Sequence, residues 1–102
     1  MIKHIVMIRL KGDDPDQKKQ AAIELKASID GLLGVVPELI SMEVGLNMNT
    51  KPSAYDLVLT SEFKTMEDLD SYRVHPAHKI VLDHLYKVMD QTAVVDYDTE
   101  QL

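Results

Sequence analysis

The chain has 102 residues, seventeen acidic against eleven basic side chains, a net charge of −6 and no cysteine. That length suits a single core burying roughly 60–65% of the unfolded surface, and the acidic balance argues against nucleic acid or an anionic membrane surface as the main partner. The absence of cysteine excludes a disulfide framework, zinc fingers and thiol catalysis, and the first residues are too short and too interrupted for a signal peptide or a membrane span, so the protein is read as cytoplasmic.

In chain order, Ile2 to Leu10 is a branched, apolar run that ends at Lys11-Gly12-Asp13, the pattern of a strand followed by a loop. His4, Val6, Ile8 and Leu10 share one face and Ile5 and Met7 the other. Apolar residues on both faces predict a central strand covered on both sides. Asp14-Pro15-Asp16-Gln17 supplies a capping acid, a proline at the first helical position and a glutamine three residues after the cap, which opens a helix. Its apolar stripe is Ala22, Leu25, Ile29, Leu32 and Leu33, with Gly34 placed to end it.

After a connector at Val35 to Glu38, Ile40, Met42, Val44 and Leu46 alternate with polar or small residues in a half-buried strand. The polar segment Asn47 to Ser53 leads to a second alternating run from Tyr55 to Phe63, and the two runs form a hairpin with a long loop. Thr65-Met66-Glu67-Asp68 starts a helix whose Met66, Leu69 and Tyr72 share a face. Pro76 cannot donate a backbone hydrogen bond and disfavours helical geometry at His75, so this helix stops near Val74 and restarts at Pro76. Beyond it Ala77, Val81, His84, Leu85 and Val88 form a stripe, and Ala93 to Tyr97 makes a last strand before a charged tail at residues 99–102.

The order βαββαβ predicts an α+β, ferredoxin-like domain over residues 1–98, with a four-stranded antiparallel sheet and helices on one face. Its other face would leave several hundred Å² of apolar surface in water, on the order of what a monomer rarely exposes. A second copy packed sheet to sheet removes that exposure, so the sequence predicts a homodimer with a cavity or packed core between the sheets.

Lys3-His4-Ile5-Val6 on the first strand, Asp70-Ser71-Tyr72, His75-Pro76-Ala77-His78 at the helix break and Val95-Asp96-Tyr97 on the last strand resemble the stress-responsive A/B barrel domain (Dabb) family of dimeric α/β barrels. The resemblance spans essentially the whole chain. It implies a ferredoxin-like protomer and a homodimer. A plant polyketide cyclase of similar fold closes a ring by intramolecular aldol chemistry, with a histidine matching His78 as base and a tyrosine matching Tyr72 in support. A histidine near the position of His4 also faces the cavity there. Where that enzyme type carries a further histidine on the third strand, this chain offers Leu57 and Leu59, which makes a more apolar pocket.

His78 and Tyr72 are therefore the candidate catalytic pair, and His4, Val6, Leu57, Leu59 and His75 the candidate ligand-binding residues. His78 falls in the first turn of a helix, where the positive end of the dipole favours a neutral imidazole. His75 also suits a capping role at the break, and His84 a packing role on its apolar stripe. No metal site is expected: His4 and His84 are also available, but a zinc site needs three or four converging ligands with orienting acids, and the proline between His75 and His78 keeps them from projecting as a regular helical pair. No cofactor motif appears: the chain has no glycine-rich phosphate loop or serine nucleophile elbow. The expected function is binding of a small apolar or carbonyl-bearing molecule in the dimer, and the alternative is a cofactor-free proton-transfer or aldol-cyclase enzyme using His78 and Tyr72.

Overall fold

The structure, a computed structural model, describes residues 1–100. Its elements are β1 (Ile2–Leu10), α1 (Pro15–Asp30), β2 (Ser41–Leu46), β3 (Leu57–Phe63), α2 (Met66–Val74), α3 (Pro76–Val88) and β4 (Met89–Asp98). The four strands form one sheet in the order β2-β3-β1-β4 with every neighbouring pair antiparallel, the ferredoxin-like α+β arrangement. β1 is central, as its doubly apolar pattern predicts.

Caps fix the helix starts. Asp14 accepts from the Asp16 amide at 2.9 Å ahead of Pro15, and Thr65 Oγ1 accepts from the Asp68 amide at 3.1 Å. α1 ends earlier than its stripe implies. Gly31, still in right-handed geometry, donates to the Ala27 carbonyl at 3.3 Å, and the chain then winds through a turn in which Gly34 adopts a φ of +87°. That turn sends Leu32, Val36 and Leu39 inward and leaves Leu33 exposed, because the sheet end needs covering where a straight helix would run past it. β3 begins at Leu57, two residues after Tyr55, and β4 starts four residues before the expected 93–97 and ends one residue after it. Thr99 donates its amide to the Met1 carbonyl at 2.9 Å, so this part of the expected tail is tied to the sheet, while Gln101 and Leu102 fall outside the described residues.

Two apolar clusters fill the space between sheet and helices. Val6, Ile8 and Leu10 of β1 pack with Leu25 and Ile29 of α1 and with Leu57 and Leu59 of β3. At the other end Leu32, Val36 and Leu39 pack with Phe63, Leu69 and Tyr72. The helices thus cover the His4, Val6, Ile8 and Leu10 face of β1. The register puts Ile5 and Met7 on the opposite, open face beside Val58 and Thr60 of β3 and Ala93 and Val95 of β4. Met7 keeps 42% of its surface exposed there and Val95 60%. This corrects one expectation: His4, Val6, Leu57 and Leu59 do not face a space between two sheets, because both faces are apolar and alternation alone leaves the helix-covered side undecided.

Candidate functional site

The helix break builds the site. In an unbroken helix the amide of residue 77 would bond the carbonyl of Arg73, and the amide of residue 76 that of Tyr72. Pro76 has no amide hydrogen, and His75 takes extended geometry (φ −63°, ψ 136°). The Ala77 amide donates instead to His75 Nδ1 at 3.0 Å, so His75 is the N-cap of α3. The His75 amide closes α2 on the Tyr72 carbonyl at 3.2 Å. The Arg73 carbonyl is thereby left free for a side chain, and His78 Nδ1 lies 3.0 Å from it.

A carbonyl oxygen only accepts, so Nδ1 of His78 carries the hydrogen and Nε2 keeps its lone pair. Burial lowers the pKa of the half-buried His78 from its ordinary 6.5; the bond to the Arg73 carbonyl opposes this, and nearby His4, Arg73 and His75 add to the lowering. Above the ordinary histidine range the ring is neutral, with Nε2 as a proton acceptor. The Tyr72 ring lies against it, centroids 4.3 Å apart and tilted by 45°, and also contacts Phe63 at 5.0 Å. Burial pushes the Tyr72 phenol up to about 12, so it stays a hydroxyl and a donor at neutral pH.

His4 is buried on β1, its ring edge-on to Tyr72 with centroids 6.4 Å apart. Its Nδ1–H donates to Oδ1 of Asp96, its cross-strand partner on β4. Asp96 Oδ2 accepts from Arg73 Nη2 at 2.7 Å, and Arg73 Nη1 donates to Asp70 at 3.0 Å. Both of Arg73's terminal nitrogens are therefore matched by carboxylates. Among the described residues no group of three or more His, Asp or Glu side chains converges as a metal-ligand set.

A cavity of about 360 Å³ lies between α3 and the helix-facing side of β1 and β4. His4, Tyr72, Arg73 and His78 gather at one end. Ile8, Leu85 and Met89 stand at the other, since α3 runs alongside β1 from His78 beside His4 to Met89 opposite Leu10. From His4 to Ile8 the strand advances four residues, or roughly 13 Å at ~3.3 Å per residue. The cavity accounts for a feature of α3: none of its side chains is fully buried, although one face is apolar. A more open groove of about 620 Å³ lies between the start of α1 and the 47–56 loop, where Lys18 is already paired with Asp56 at 3.3 Å.

Of the residues selected from sequence, His78, Tyr72, His4, Val6 and Leu59 line the cavity. Leu57 lies in the core nearby and His75 caps α3, both outside the cavity lining. The cavity lies within one protomer, under the helices, and not between two sheets. Sequence reasoning did not select Arg73 or Asp96. Asp96 is 92 positions from His4, and only the antiparallel register of β1 on β4 sets the two opposite each other.

Residues 2–99 match the Stress responsive A/B Barrel Domain family, and the chain belongs to that family. A stress-response A/B barrel domain-containing protein of Arabidopsis thaliana is 26% identical over 110 residues, a stretch covering 99% of this chain and 48% of that protein. The chain spans about half the length, or less, of the curated relatives it matches. Among solved structures, a dimeric protein of unknown function and ferredoxin-like fold from Bacteroides fragilis is 33% identical, with a TM-score of 0.85 over 95% of this chain and 94% of that one. A hydroxynitrile lyase from Passiflora edulis shares the fold at 17% identity, with a TM-score of 0.78 over 99% of this chain and 95% of its own. Among the described residues no helix is long and apolar enough to cross a membrane.

Proposed function

We propose that this family member works as a homodimer packed through its open sheet faces, each protomer holding one small uncharged molecule with a carbonyl or hydroxyl head and an apolar tail in the cavity under α3. The observation that carries the ligand class is the pairing of a donor and an acceptor at one end of a mainly apolar cavity, in which Thr92 and Tyr86 are the other side chains bearing hydroxyls. The Tyr72 hydroxyl suits a carbonyl oxygen and His78 Nε2 suits a hydroxyl. An anionic head is disfavoured, since Arg73, the one Lys or Arg side chain lining the cavity, already has Asp70 and Asp96 as partners. The apolar open face, together with the dimeric state of the Bacteroides fragilis relative, supports the homodimer.

Proton transfer is the second reading, favoured by the fixed tautomer of His78. A neutral imidazole with a free Nε2 is suited to take a proton from the carbon beside a carbonyl, while the Tyr72 hydroxyl donates to the oxygen on which charge develops. The scaffold is also that of the Passiflora edulis hydroxynitrile lyase.

A series of methyl ketones of increasing chain length tests both readings. Affinity measured by ligand-observed NMR should rise about fourfold per added methylene, from ~0.8 kcal/mol each, until the apolar end is full. A flat series would remove the binding reading. Solvent deuterium exchange into a bound ketone should fall by ~10² to 10⁴ in His78→Ala. Exchange no faster than in buffer, or equally fast in His78→Ala, would remove the proton-transfer reading and leave the binding one.

A further inference from the structure

The break between α2 and α3 has few anchors of its own. Val74 is exposed, His75 is extended, and α3 has no fully buried side chain. Yet the tautomer of His78 depends on the Arg73 carbonyl in this segment, which would otherwise be free to turn toward water. Tyr72 anchors the last turn of α2 in the core against Phe63, and past it the polar tie from the segment to the sheet is the Arg73 guanidinium on Asp96, a carboxylate with a side-chain exposure of 20%. Asp96 is itself fixed on β4, and its second oxygen takes the Nδ1–H of His4. One carboxylate therefore holds His4 directly and reaches His78 through the residue whose carbonyl His78 bonds.

We infer that Asp96, acting through Arg73, is a positioning residue that fixes the tautomer of His78 and so presents Nε2 to the cavity. The inference rests on the reading of His78 as the cavity's acceptor, but its physical content is a property of the ligand-free protein. Hydrogen bonds between charged groups are shorter and stronger than neutral ones, and Arg73 keeps its second terminal nitrogen on Asp70 within its own helix. The guanidinium is thus held from both sides. Asp70 secures it within α2 and Asp96 secures it to β4.

The test is two-bond proton–nitrogen NMR of the ligand-free, nitrogen-15-labelled protein at a pH well above the ordinary histidine pKa. In the wild type His78 should show one protonated nitrogen, Nδ1, and one unprotonated nitrogen, Nε2. Arg73→Met keeps the backbone carbonyl and removes the clamp from a partly exposed site. It should draw the two ring-nitrogen shifts of His78 together as the tautomers mix, while His4 keeps its own pattern because its carboxylate remains. Asp96→Asn should disturb both histidines. His84, whose Nδ1 lies 2.7 Å from Ser28 Oγ between α1 and α3, serves as the internal reference. Unchanged His78 shifts in Arg73→Met would overturn the inference, as would equal changes at His84, which would mean general loosening. Failure of every ketone to bind would leave this outcome unaffected, so the two readings fail separately.

Discussion

Replacing Met7 by aspartate should abolish the proposed homodimer and leave a folded monomer. Met7 sits mid-strand on the open face of β1, flanked across the ladder by Val58 and Ala93, with 42% of its surface exposed in the protomer. Fully burying a methionine contributes roughly 1.5–3 kcal/mol, so covering the exposed 42% contributes about 0.6–1.3 kcal/mol per protomer, and about twice that in a symmetric pair. The aspartate removes this and brings two carboxylates into a dry contact, where desolvation costs several kcal/mol per ion before any repulsion. A combined loss of about 4 kcal/mol or more raises Kd by roughly a thousandfold, since each 1.4 kcal/mol is a factor of ten. Light scattering after size exclusion at micromolar concentration should read twice 11.5 kDa for the wild type and 11.5 kDa for Met7→Asp, with helical and strand circular dichroism retained. Val6→Asp, one residue away and buried under the helices, should unfold the chain instead. Ile80→Asp, on the outer side of α3 at 71% exposure, should change neither property. A Met7→Asp protein that still weighs twice the chain mass would refute assembly through this face.

Leu85→Trp places an indole in the apolar end of the cavity. Overpacking a filled core typically costs ~1–3 kcal/mol, whereas here about 360 Å³ of space is available, so thermal stability should hold while ketone affinity drops at least tenfold. Undiminished affinity by the same NMR titration would place the ligand elsewhere. The pH dependence of stability should also carry the mark of His78. Its folded-state pKa lies below the unfolded 6.5, so the unfolded chain binds more protons in that window, and stability falls as pH drops from about 6.5 toward the folded value. Denaturant midpoints recorded across this range should show a shallower decline in His78→Gln, and an identical slope would mean that burial does not perturb this ring.

Elements with local signals are legible in the residues alone. Asp14-Pro15 and Thr65 open their helices because a side-chain oxygen can satisfy an orphan amide two or three residues on. Pro76 divides α2 from α3 because it has no amide hydrogen. The family resemblance was legible in the same stretches, above all His75-Pro76-Ala77-His78. The end of α1 was not, because whether Leu32 or Leu33 turns inward depends on the sheet end that it covers. Nor was the covered side of β1: a strand alternation of period two says which residues share a face, and two apolar faces leave the choice to the helices. That choice moved His4, Val6 and Leu59 from an expected space between protomers to a cavity inside each one. Tertiary structure alone brought Asp96 to His4 and Arg73, because an ion pair between residues far apart in sequence exists only once antiparallel pairing has set the register, and the tautomer of His78 depends on a carbonyl that the helix break left free.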